Sequence, residues 1–171
     1  MLENKDIRIR CLEETDLDFV YSCASPKVRG EYQDFRFSSW QTLVGAYERD
    51  GLWSEEDGGI LLIESRNEAV GLAQITFVRA GLARVGMVLL PENRGQGIGS
   101  TVLLLLRDYL MDNYPIARIE ADTDSDNLPA QHILENSGFE REGILRCYRY
   151  HHGYYHDSLL YSYTERNDVS L

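Results

Sequence analysis

A mixed α/β (α+β) fold is predicted by three observations on the sequence. Segments of strand period and helix period follow one another in the order strand, one or two helices, three strands, helix, strand, helix, two strands. Apolar residues make up 43% of the 171, enough for a sizeable core and too many for a disordered chain. No repeat or linker divides the sequence, so residues 1–171 read as one domain.

Asp6 to Leu12 alternates, with Ile7, Ile9 and Cys11 on one side against Arg8 and Arg10 on the other, and reads as the first strand. Glu13 to Ala24 spaces Leu17, Val20 and Tyr21 for a helix, with Thr15 or Asp16 as N-cap and Ser25-Pro26 as its stop. From Lys27 to Gly59 the pattern is mixed and polar, with one helix over Trp40 to Glu48. Ile60 to Glu64 and Ala69 to Val78 are two strands joined at Arg66-Asn67, and Ala83 to Leu90 is another, ending at Pro91. Ser100 to Met111 is so densely apolar that its helix is expected to be buried on most sides. Ile116 to Ala121 is a strand and Leu128 to Asn136 a helix closed by Ser137-Gly138. Phe139 to Tyr150 and Tyr154 to Tyr163 make a strand pair around Gly153.

Seventeen basic and 28 acidic residues give a net charge of −11. Affinity for phosphate backbones comes from clustered Lys and Arg, and no basic run occurs, so no nucleic-acid partner is expected. A cationic small molecule or a peptide amine fits the charge better. The longest apolar stretch, Val102 to Leu106, is far short of the ~20 residues of a membrane span. MLENKDIRIR lacks the apolar core of a signal peptide, so no membrane association is expected and the compartment is cytoplasmic by default. Cys11, Cys23 and Cys147 include no CxxC pair and suggest neither disulfides nor zinc. His151, His152 and His156 with Asp157 straddle Gly153 in a hairpin, where i and i+4 do not share a face as on a helix, so no metal is expected. The tyrosines from Tyr148 to Tyr163 read as strand packing, with an exposed aromatic row marking a homodimer surface as the alternative.

Arg94-Gly95-Gln96-Gly97-Ile98-Gly99-Ser100 places three alternate glycines between a strand and a helix. Glycine has no Cβ to block an approaching oxygen, and the first four N–H groups of a helix lack intrahelical partners at its positive end. A diphosphate suits such a turn, with Arg94 adding charge beside it. A P-loop would need a lysine after the glycines, and none follows. A Rossmann GxGxxG would find Ser100 or Val102 in place of its third glycine; Glu120 does stand about 20 residues on, but too many strands precede the turn.

The pattern Arg94-x-x-Gly97-x-Gly99, after a strand ending Leu89-Leu90-Pro91-Glu92, resembles the acetyl-coenzyme A signature of the GNAT acetyltransferase superfamily. A second match follows in register: Asn127-x-x-Ala130, then Leu134-Glu135-Asn136-Ser137-Gly138-Phe139 and Glu142-Gly143-Ile144-Leu145-Arg146. With Ile7-Arg8-Ile9-Arg10 at the start and Gly153 to Asp157 near the end, the resemblance spans nearly the whole chain. It is most similar to the ribosomal-protein N-terminal acetyltransferase branch. The resemblance implies a mostly antiparallel central sheet of six to seven strands, with flanking helices and a strand that bulges and splays from its neighbour. The pantetheine arm of acetyl-CoA would lie along Met87, Val88, Leu89 and Leu90, its diphosphate on Arg94 to Ser100, and its thiol end near Asn127 and Ala130. Asn127 is equally suited to cap a helix.

The chemistry so implied is direct attack of a primary amine on a thioester, which needs a proton acceptor and a donor to the developing oxyanion. A backbone N–H near Val88 or Leu89 would serve the oxyanion. Many GNAT enzymes carry a tyrosine where this sequence has Leu134. The serine and glutamate given catalytic roles in the ribosomal-protein branch fall at Ala130 and Arg149, and a glutamate common before the splayed strand's glycine falls at Arg84. Glu120 is the remaining candidate for a water-mediated base, or a plain strand residue. Glu31, Tyr32, Asp34 and Trp40, with Trp53 nearby, are candidates for the acceptor pocket by charge pairing and cation–π contact, against the alternative of a solvated surface. The expected acceptor is a small cationic molecule, with a peptide N-terminus as the second reading. A coenzyme A sensor without turnover is the third.

Overall fold

A computed structural model describes residues 1–33 and 39–164. In chain order the elements are β1 (Leu2–Glu3), β2 (Ile7–Cys11), α1 (Leu17–Cys23), α2 (Pro26–Arg29), α3 (Trp40–Asp50), β3 (Trp53–Ser54), β4 (Gly58–Ser65), β5 (Glu68–Arg79), β6 (Leu82–Leu89), α4 (Ile98–Asn113), β7 (Arg118–Asp124), α5 (Leu128–Asn136), β8 (Glu140–His151) and β9 (Tyr154–Tyr163). The strands form one sheet in the order β1-β2-β4-β5-β6-β7-β9-β8, with β3 paired to β4. Seven of them match the predicted strands; β1 and β3 have two residues each, too few to leave a period in the sequence. Every pairing is antiparallel except that of β6 with β7.

Alternation along the strands sorts the core to two faces. Ile9, Ile63, Ala73, Val85 and Ile119 face α4 and α5, whereas Leu62 and Leu72 face α1, α2 and α3. Helix α4 buries a stripe at Ile98, Val102, Leu103, Leu106 and Leu110, while Leu104 and Leu105 stay half-buried, so it is amphipathic rather than buried on most sides. A leucine buried as fully as Leu106 contributes about 1.5–3 kcal/mol.

The helix expected from Glu13 starts later. Glu14–Asp16 is a 3₁₀ turn, and the Asp16 carboxylate reaches back to the Glu13 N–H and pairs with Arg10, both at 2.7 Å. Pro26 opens α2 rather than only stopping α1, since the first helical position needs no N–H. The late tyrosines divide: Tyr161 is fully buried, but Tyr148, Tyr150, Tyr154 and Tyr155 are exposed on the β8–β9 edge.

Two features position the site. Gly71 lies so close to β6 that a Cβ there would stand 2.3 Å from the Val88 carbonyl oxygen, which locks β5 against β6. By contrast β6 and β7 share only three pairs, Leu82–Arg118, Ala83–Ile119 and Arg84–Glu120. Beyond them β6 runs on to Leu89 and β7 to Asp124 without touching, which opens the sheet. At the vertex Glu120 sits between Arg84 at 3.0 Å and Arg118 at 2.9 Å, and Arg118 also forks onto Glu142 at 2.6 and 2.5 Å.

Arg118, helped by the Ser162 hydroxyl, lowers the Glu142 carboxyl from its ordinary 4.5 to about 2. A carboxyl whose pKa falls on folding gives stability that is complete above 4.5 and is lost as pH drops through about 2. Glu142→Gln is expected to flatten the fall of urea stability across that window, and an unaltered acid limb would show that the pair contributes nothing.

Candidate active site

The strand-to-helix turn after β6 leaves its backbone donors exposed. Gly95 and Gly97 take φ of +73° and +79°, a region other residues rarely adopt, and Gly97 is the N-cap of α4. A Cβ at either position would meet nothing within 4 Å. Among the described residues no N–H from Gly95 to Ser100 donates to a backbone carbonyl; the first to do so is Thr101, to the Gly97 oxygen at 3.1 Å. Six consecutive N–H groups at the positive end of a 16-residue helix thus have no backbone acceptor among the described residues, and the turn is open at Gly95 and Gly97. The Arg94 side chain does not add its charge over the turn as expected. Its Nε donates to Leu89 O at 3.0 Å and its Nη2 to Val28 O at 2.5 Å, tying the turn to α2. The cradle is therefore built of main chain.

The opening supplies the second set of backbone groups. Leu90 N–H donates to Val70 O, and the β5–β6 register makes the Leu72–Val88 pair another bonded pair. Even-numbered residues of β6 therefore spend their N–H and C=O on β5, while Met87 and Leu89, beyond the last β6–β7 pair, turn theirs away from β5, the Leu89 carbonyl being taken by Arg94 Nε. Of the two expected oxyanion donors, Val88 is committed to the ladder and Leu89 is not. Nor does β6 bulge over Met87 to Leu89, where its register with β5 is regular; the irregularity lies between Phe77 and Arg79.

A cleft of about 360 Å³ fills the opening and passes through the sheet. On the α4–α5 side it is lined by Leu103, Asn127, Ala130, Ile133 and Leu134; on the other by Arg29, Tyr32, Gln33, Gln74, Asp122 and Arg149. Asn127 caps α5, its Oδ1 accepting from Ala130 N–H at 3.3 Å, while its side chain also lines the cleft. Asp122 was missed because the strand was read as ending at Ala121. Strand β7 runs to Asp124, and Glu120, Asp122 and Asp124 share one face two residues apart. That alternation of acids with Ile119, Ala121 and Thr123 is legible in the sequence.

Each acid of the row is matched. Asp122 takes the Arg149 guanidinium at 2.6 and 3.0 Å, and Asp124, fully buried, takes His151 Nε2 at 2.5 Å. For Glu120, burial opposes ionisation but the hydrogen bonds from Arg118 and Arg84 prevail and hold the carboxyl below the usual range. A carboxylate held between two guanidiniums is a poor proton acceptor, and Glu120 is not among the described cleft lining, so its surroundings suit a structural clamp better than the expected base.

Residues 6–140 match the family described as the acetyltransferase (GNAT) domain. The chain belongs to the GNAT acetyltransferase family. It is 26% identical over 168 residues, 95% of each chain, to an N-acetyltransferase of Bacillus subtilis (strain 168), YoaA. YjcK of the same organism, a probable N-acetyltransferase, is 28% identical over 158 residues, 85% of this chain and 87% of that one. Among solved structures, spermidine N-acetyltransferase from Vibrio cholerae with CoA and spermine superposes with a TM-score of 0.84 at 21% identity, covering 94% and 96% of the two chains. RimL, a ribosomal L7/L12 α-N-protein acetyltransferase with coenzyme A, gives 0.79 at 19%, covering 94% and 95%. The protein is an N-acetyltransferase with acetyl-CoA as its co-substrate, and no helix among its described residues is long and apolar enough to cross a membrane.

The remaining GNAT expectations divide. The free donors of the turn and the outward-facing backbone of β6 fit a diphosphate and an amide-bearing arm, so the chain's residues suit the co-substrate. Leu134 lines the cleft at the tyrosine position of many GNAT enzymes and has no proton to give. On the acceptor side, among the described residues of the expected set, Tyr32 alone lines the cleft. Glu31 is exposed, Trp40 packs edge-on against Tyr21 at 5.6 Å, and Asp34 lies outside the described residues. The hairpin brings together groups expected to stay apart, since His151 and His156 stack at 3.7 Å beside Asp124. One ligand atom from each of Asp124, His151 and His156 lies within 4.8 Å of the others, a spacing that could hold a metal ion, although the 12° stacking of the two rings also suits plain packing.

Proposed function

We propose that this single-domain transferase passes an acetyl group from acetyl-CoA directly to a primary amine, the two substrates meeting within the through-sheet cleft. The observation that carries this reading is the continuity of the open amides of residues 95–100 with the outward-facing backbone of Met87 and Leu89. Acetyl-CoA supplies the thioester. Gly95 to Ser100 hold its diphosphate, Met87 and Leu89 align its arm, and Asn127 and Ala130 wall its thiol end. The Leu89 N–H faces the place where negative charge develops on the carbonyl oxygen, a position in which one preorganised donor is worth about 3 kcal/mol.

Direct transfer is favoured over a covalent relay because no cysteine lines the cleft: Cys23 is buried among α1-side residues, and Cys11 and Cys147 are exposed elsewhere. Among the described residues the cleft's one carboxylate, Asp122, is held by Arg149, so the amine's proton goes to solvent. Free thiol released from acetyl-CoA with a panel of primary amines and short peptides is the test. Turnover is expected, with kcat/KM rising about tenfold per pH unit up to the acceptor's own pKa. Saturable CoA binding without acceptor-dependent thiol release would favour the sensor, a reading that Leu134 supports.

A further inference from the structure

We infer that the acceptor is a small amine bearing an anionic group, a carboxylate or a phosphate, and that Arg29 holds that group at the acceptor mouth. The inference rests on the proposed transfer and narrows its substrate. It departs from the small cation that the whole-chain charge suggests, because the cleft does not share that charge. Its described lining has two guanidiniums, Arg29 and Arg149, and one carboxylate, Asp122.

The two arginines differ in what they are free to do. Arg149 directs Nε and Nη2 onto Asp122 at 3.0 and 2.6 Å and so cancels the one negative charge of the described lining. Arg29 donates Nη1 to the neutral Gln33 Oε1 at 2.9 Å and pairs with no carboxylate among the described residues. Its backbone is fixed, because α2 is clasped through Val28 O by Arg94 of the glycine turn. A guanidinium on an anchored helix end, with its charge unmatched in a partly desolvated cleft, presents a planar fork suited to a carboxylate or phosphate. A polyamine entering the same mouth would bring further positive charge toward Arg29 and Arg149 and find no unpaired carboxylate among the described lining residues.

The test uses short amines of similar length: β-alanine, phosphoethanolamine, ethanolamine and 1,3-diaminopropane, each assayed by thiol release from acetyl-CoA. At least one of the two anionic amines is expected to exceed both others in kcat/KM by tenfold or more, and which one does so separates carboxylate from phosphate. Arg29→Gln should collapse that ratio toward one, and Arg29→Lys should keep most of it, with near-UV circular dichroism reporting that both variants fold. Equal or better turnover of ethanolamine or the diamine would overturn the inference while leaving the transfer reading intact, as would an unchanged ratio in Arg29→Gln. If no amine is turned over, calorimetric titration of the CoA-saturated protein decides. Tenfold tighter binding of an anionic amine supports the role of Arg29 even though transfer fails, and equal or absent binding overturns it.

Discussion

Gly97→Val is expected to weaken coenzyme A binding on the order of 100-fold in a chain that still folds. A Cβ at this position meets no atom within 4 Å, so nothing in the fold has to move. The cost to stability is backbone strain, since φ is +79° and a β-branched residue tolerates that poorly; about 1–3 kcal/mol is typical. Binding suffers more, because the isopropyl group stands over the open N–H groups at the start of α4 and denies them to a diphosphate. Losing one or two charge-assisted hydrogen bonds, about 3 kcal/mol together, weakens affinity on the order of 100-fold. Calorimetry with coenzyme A, beside far-UV circular dichroism, reads both quantities. Undiminished affinity would move the diphosphate away from residues 95–100.

Glu120→Gln separates the two roles open to that residue. As the clamp at the vertex of the sheet, its loss leaves Arg84 and Arg118 short of their shared partner. Removing one member of a buried charge cluster costs up to 3–5 kcal/mol, but Arg84 and Arg118 are 40% and 25% exposed, so about 2 kcal/mol is expected. Turnover below the melting transition should stay within about twofold of the parent, because Glu120 does not line the cleft. A loss of about 100-fold in kcat with an altered pH profile would restore Glu120 as the base.

The long elements were legible because their periods are strong. The bounds Leu128–Asn136 and Tyr154–Tyr163 agree with the structure to the residue, and the leucine-rich helix differs only by two residues at each end. What escaped the sequence depends on partners distant along the chain. Arg94 reads as a phosphate ligand by position, yet Val28, 66 residues away, draws its side chain to the other side. Glu120 reads as a free acid until Arg84 is brought beside it by a parallel pairing that no local pattern encodes. His151 and His156 look separated when counted by helical spacing, yet the two-residue turn pairs His151 with Tyr154, and the strand period puts His156 on that same face. The proposed cofactor side is readable because glycine and main chain make it. The proposed acceptor side draws on Arg29, Asp122 and Arg149, residues of ordinary type that only the fold assembles.

Because the gap between β6 and β7 pierces the sheet, the protein has two mouths on opposite sides. Under the proposed transfer, carrier and amine would therefore approach each other from opposite faces of the sheet.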